Sequence, residues 1–82
     1  MGRTVMTGQS GAAVLARNLR RIREEQRLSI EELARRTGLK HELLEAVENG
    51  TIDPKKWGVG KSEAVAAGLG VTVLDLFREE EL

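Results

Sequence analysis

The chain has 82 residues, 13 basic and 13 acidic side chains, no cysteine, and a single tryptophan and a single phenylalanine. That length supports one small core with no room for a separate sensor domain. The lack of cysteine excludes disulfides and thiolate metal sites, and no apolar run approaches the roughly 20 residues of a membrane span. A soluble, cytoplasmic domain without cofactor is expected, and its even charge balance argues against a nonspecific coat for nucleic acid.

Residues 1–10 mix Gly, Thr and Gln without periodicity; they read as a flexible arm and lack the apolar stretch of a signal peptide. Residues 1–27 hold six arginines against Glu24 and Glu25, so the remainder carries a matching acidic excess. Ser10 can cap a helix from Gly11 to about Gln26, on which Leu15, Leu19 and Ile22 share one stripe. Arg17, Arg20, Arg21 and Arg27 point elsewhere. Most of these arginines are expected to be solvated, with Arg20–Glu24 and Arg21–Glu25 as i, i+4 pairs. Arg17 and Arg27, near the helix ends, are candidates for phosphate contact. Arg23 differs because it lies at the edge of the apolar stripe.

Ser29 is a good N-cap, and Glu32 three residues on completes a capping box, so a second helix starts at Ile30. Leu33 and Ala34 form its inward stripe until Thr37-Gly38 breaks the periodicity, Gly38 suiting a left-handed position. A third helix runs from Lys40 or His41 to Glu48. Steps of 100° gather Leu43, Leu44 and Val47 on one side and His41, Glu42, Glu45 and Asn49 on the other. Asn49-Gly50 then closes a helix–turn–helix unit.

The stretch TIDPKKWGVGK is the least regular, with Asp53-Pro54 as a turn or short helical start and Gly58 and Gly60 loosening the connection. Trp57 is expected to close the core. A fourth helix spans Ser62 to Leu69 with Val65, Ala66 and Leu69 inward, and Gly68 in it would permit close approach of the next helix. Thr72 and Asp75 repeat the capping signature ahead of a last helix through Leu74, Leu76 and Phe77. The domain is expected to cover residues 11–78, with residues 79–82 as an acidic tail.

Leu28-Ser29, Glu32-Leu33-Ala34, Gly38-Leu39, Glu48-Asn49-Gly50, Leu69-Gly70-Val71 and Leu74-Asp75-Leu76-Phe77, in this order and spacing, resemble the Cro/repressor-type (Xre-like) helix-turn-helix family from about Leu15 to Phe77. The resemblance implies an all-α, compact bundle of about five short helices, lambda-repressor-like, with the third helix in the DNA major groove. It implies that Lys40, His41, Glu42, Glu45 and Ala46 face base edges. It makes Lys55, Lys56 and Lys61, in a loop that lies against the DNA backbone in the family, candidates for phosphate contact together with Ser29. Finally, it implies that Arg23 and Glu48 form an ion pair tying the first helix to the end of the third.

Catalysis is not expected: the one histidine, His41, has no cysteine or triad partner, and Gly58-Val59-Gly60-Lys61 lacks the spacing of a phosphate loop. The leading expectation is a sequence-specific DNA-binding transcriptional regulator acting on double-stranded DNA. The alternative is an antitoxin-like or scaffold module that meets a protein partner. Glu42 and Glu45 place negative charge on the face expected to approach DNA, Ala46 has nothing to read with, and Leu43 would add exposed apolar surface. A homodimer through the last helix, with Leu74, Phe77 and Leu82 at the contact, would double a short recognition site.

Overall fold

Apolar side chains at i, i+3, i+4 and i+7 intervals need a shared interior, and here short helices supply it in a computed structural model that describes residues 11–79, apart from the side chains of Pro54 and Lys55. The expected arm, the tail beyond Glu79 and the Leu82 contact lie outside the described residues. The elements are α1 (Gly11–Glu25), α2 (Ile30–Thr37), α3 (His41–Glu48), α4 (Pro54–Trp57), α5 (Val59–Leu69) and α6 (Val73–Phe77), with no strand among the described residues. The five helices implied by the sequence are present; α4 is an added single turn. α1 packs against α3 and α6, α2 against α3 and α5, and α5 against α6.

Local chemistry sets most helix ends. The Ser29 hydroxyl accepts from the Glu32 N–H and the Glu32 carboxylate from the Ser29 N–H, both at 3.0 Å, and Thr72 and Asp75 repeat this at 3.1 and 3.0 Å. The backbone N–H groups of Ser29 and Thr72, which these carboxylates accept, hold Glu32 and Asp75 below the usual carboxylate range. Gly38 ends α2 at φ 76°, its N–H donating to the Ala34 carbonyl at 2.8 Å.

Leu15, Leu19, Leu33, Leu44, Val65 and Leu76 form the fully buried centre, and Trp57, 2% exposed, seals it from α4. Asn18 is buried among them. Its side-chain N–H groups donate to the Leu76 and Arg78 carbonyls at 2.9 and 2.7 Å, stapling α1 to the end of α6. The signal was present in the sequence, since Asn18 sits four residues from both Val14 and Ile22 on the buried stripe.

Three expectations need correction. The fourth sequence helix begins at Val59 rather than Ser62, because Gly58 at φ 90° turns the chain and Gly60 is taken into the first turn of α5. Leu43 is half-buried against the core rather than exposed, so it adds little to an interaction face. Gly68 admits α2, not the last helix: a Cβ built there would lie 2.8 Å from Thr37 Cγ2.

Thr37 cannot easily rotate away, since its hydroxyl donates to the Leu33 carbonyl at 2.9 Å and accepts from the Leu39 N–H at 3.2 Å. Gly68→Ala should therefore destabilise the fold, overpacking of about 1–3 kcal/mol outweighing a helix-propensity gain of up to about 1 kcal/mol. In a Thr37→Ser background the offending methyl is gone and the same change should be neutral or stabilising. Urea unfolding of the four proteins measures the reversal; an additive pair would refute the contact.

Candidate nucleic-acid interface

α2, the Gly38 turn and α3 hold the candidate residues. Lys40 is the N-cap residue of α3 without a side-chain cap bond, and His41, Glu42 and Glu45 are exposed on the side away from Leu44 and Val47. Ala46 is half-buried, its carbonyl accepting from the N–H and hydroxyl of Thr51, both at 3.0 Å. His41 Nδ1 lies 3.7 Å from a Glu42 carboxylate oxygen. No lysine or arginine among the described residues pairs with Glu42 or Glu45.

The far end of α3 is anchored. Glu48, with its side chain 5% exposed, accepts from Arg23 Nε at 2.6 Å and from a second Arg23 nitrogen at 2.9 Å, while the remaining Arg23 nitrogen donates to the Leu28 carbonyl at 2.7 Å. This fork matches the planar geometry of guanidinium and carboxylate. The hydrogen bond to Glu48 raises the Arg23 pKa above its already high value. α1, the α1–α2 turn and the C-terminus of α3 are thereby joined through one side chain.

Arg20 was not legible as a member of this cluster. Instead of pairing with Glu24, it lies 3.5 Å from a Glu48 carboxylate oxygen and donates to the Glu48 carbonyl at 3.4 Å. A buried carboxylate attracts a cation more strongly than a solvated i, i+4 partner does. Arg21 and Glu25 do form the expected helical pair, at 3.3 Å. Gln26, given no role from sequence, donates to the Leu69 carbonyl at 2.6 Å and ties the turn to α5.

The phosphate candidates are dispersed. Arg17 is exposed on α1, Arg27 is exposed in the α1–α2 turn, and Lys56 and Lys61 are exposed around the start of α5. The hydroxyl of Ser29 is engaged in its cap. The side chain of Lys55 lies outside the described ones.

Residues 14–77 match the model of the helix-turn-helix domain family. Among solved structures, the chain is similar to a hypothetical transcription factor, NHTF, from Neisseria, with 37% identity, 85% of this chain and 77% of that one covered, and a TM-score of 0.77. It is also similar to the restriction-modification controller protein C.AhdI from Aeromonas hydrophila, with 26% identity, coverage of 80% and 96%, and a TM-score of 0.74. No functionally curated protein matches the chain. A capped α2, a left-handed glycine turn and an anchored α3 thus coincide with a family match over most of the length, and the chain belongs to the helix-turn-helix family, in its Cro/repressor-type (Xre-like) form.

Proposed function

We propose that the protein is a sequence-specific DNA-binding transcriptional regulator that inserts α3 into the major groove, where Lys40, His41, Glu42 and Glu45 meet base edges. The observation that carries this reading is the polar, exposed side of α3 on an element whose other end is fixed by Arg23 and Glu48. A groove about 12 Å wide admits one helix, lysine donates to guanine O6 or N7, and a glutamate accepts from cytosine N4. The likeness to NHTF and C.AhdI supports a regulator over a catalyst.

Selection from random duplexes at low salt should enrich one motif with the native protein. Glu42→Ala or Glu45→Ala should relax discrimination at one base pair by about 1–3 kcal/mol and leave generic binding equal or tighter, because a negative charge near phosphate is lost. No enriched motif would reject the reading.

The carboxylates of Glu42 and Glu45, which no described lysine or arginine pairs, favour a second reading, a helix-turn-helix module that docks a basic protein partner; in that case the same substitutions abolish the complex and no duplex sequence stands out. Under the DNA reading a homodimer through α6 is also proposed. Leu74 is 68% exposed there, whereas Phe77 is half-buried against the domain's own core. Sedimentation should show Leu74→Glu shifting a dimer to monomer, and a native monomer both free at tens of micromolar and on its duplex would exclude the pairing.

A further inference from the structure

Three helices of this protein end on the same pair of backbone bonds. After α3, Gly50 N–H donates to the Val47 carbonyl and Thr51 N–H to that of Ala46, both at 3.0 Å; after α5, Gly70 donates to Ala67 at 3.2 Å and Val71 to Ala66 at 2.9 Å. After α1, Arg27 donates to Glu24 at 3.0 Å and Leu28 to Arg23 at 3.1 Å. This closure needs a left-handed residue, which glycine adopts without crowding between Cβ and carbonyl. Gly50 and Gly70 fill the position in two helices, but Arg27, at φ 58°, fills it in the third and is the one non-glycine residue with positive φ among those described.

No described residue compensates. Arg27 is exposed, and its side chain makes no hydrogen bond or ion pair with a described residue. Its neighbours are employed internally, Gln26 on the Leu69 carbonyl and Arg23 on Glu48. A residue kept in a disfavoured conformation with a cation that no described residue pairs points to a ligand outside the fold. Two residues on is Ser29, the N-cap of α2. In the helix-turn-helix docking geometry, that first helix crosses the sugar–phosphate backbone.

We propose that Arg27 is a sequence-independent anchor for a duplex phosphate, held at a left-handed position where glycine would make the fold more stable. The proposal rests on the DNA-binding reading above. A phosphate bound by a guanidinium adds affinity and fixes register without reading bases, so its loss should weaken all duplexes alike.

The test compares the native protein with Arg27→Gly and Arg27→Ala, by thermal unfolding and by titration of the selected duplex and a scrambled one across a salt series. Arg27→Gly should raise the melting temperature by several degrees, about 4–8 °C. It should weaken both duplexes by a similar factor, with the slope of log K against log salt shallower by about 0.9. Arg27→Ala should lose the same affinity without the thermal gain. Unchanged affinity and slope in both variants, with the native protein binding its duplex, would overturn the anchor and leave the DNA-binding reading intact. A lower melting temperature for Arg27→Gly would make Arg27 a structural residue and likewise overturn the proposal. A native protein that binds no duplex would remove both.

Discussion

Glu48→Ala should lower the unfolding free energy by about 3–5 kcal/mol, because it strips the carboxylate from a guanidinium that the fold holds largely out of water. The Arg23 side chain is 15% exposed and has only the Leu28 carbonyl as its other hydrogen-bond partner, and Arg20 loses its carboxylate contact in the same change while keeping the Glu48 carbonyl. For a domain of this size a loss of 3 kcal/mol corresponds to roughly 12–24 °C in melting temperature. The pair itself is a different matter, since two charges removed from water recover much less than either singly forfeits. Arg23→Met with Glu48→Leu should therefore be more stable than Glu48→Ala alone. Urea unfolding of the single and double variants measures this cycle, and a loss below about 1 kcal/mol for Glu48→Ala would show that the anchor contributes no more than a surface pair. Duplex binding by the apolar double variant would then report whether the orientation of α3 needs the charges or only the packing.

Trp57→Ala should be comparably severe, at about 3–5 kcal/mol, since it empties the largest buried side chain of a small core. Trp57→Phe should lose much less, about 1–2 kcal/mol for the smaller ring. The indole N–H is buried with no acceptor among the described residues, so phenylalanine forfeits no hydrogen bond there and removes an unsatisfied donor. Equal losses for the two variants would mean that the N–H has a partner of its own. Near-neutral Trp57→Ala would mean that α4 is not a structural lid between the exit of α3 and the start of α5. Chemical denaturation followed by circular dichroism distinguishes these results, since the only tryptophan fluorophore is absent from both variants.

What the sequence determined by itself was chiefly local. The Ser29–Glu32 and Thr72–Asp75 boxes, the left-handed turn at Gly38 and the inward stripes of α1, α2 and α3 each depend on groups three or four residues apart, and such spacings act before any distant part of the chain arrives. The exposed side of α3 followed from the same periodicity. Beyond the Arg23–Glu48 pair that the family resemblance implied, the tertiary structure decided the choices between distant partners. Arg20 could reach Glu24 on its own helix, yet it turns to Glu48, 28 residues away in sequence, because that carboxylate is buried and already oriented. Gly68 offered room to any neighbour, and α2 took it through Thr37. Leu43 lies beside the polar face of its helix, but packing against the core half covers it. The sequence put Arg27 beside Arg17 as a phosphate candidate, and only the backbone closure of α1, with its positive φ, sets Arg27 apart from Arg17. Periodicity assigns a face to each residue, whereas packing selects which of several chemically acceptable neighbours will occupy that face.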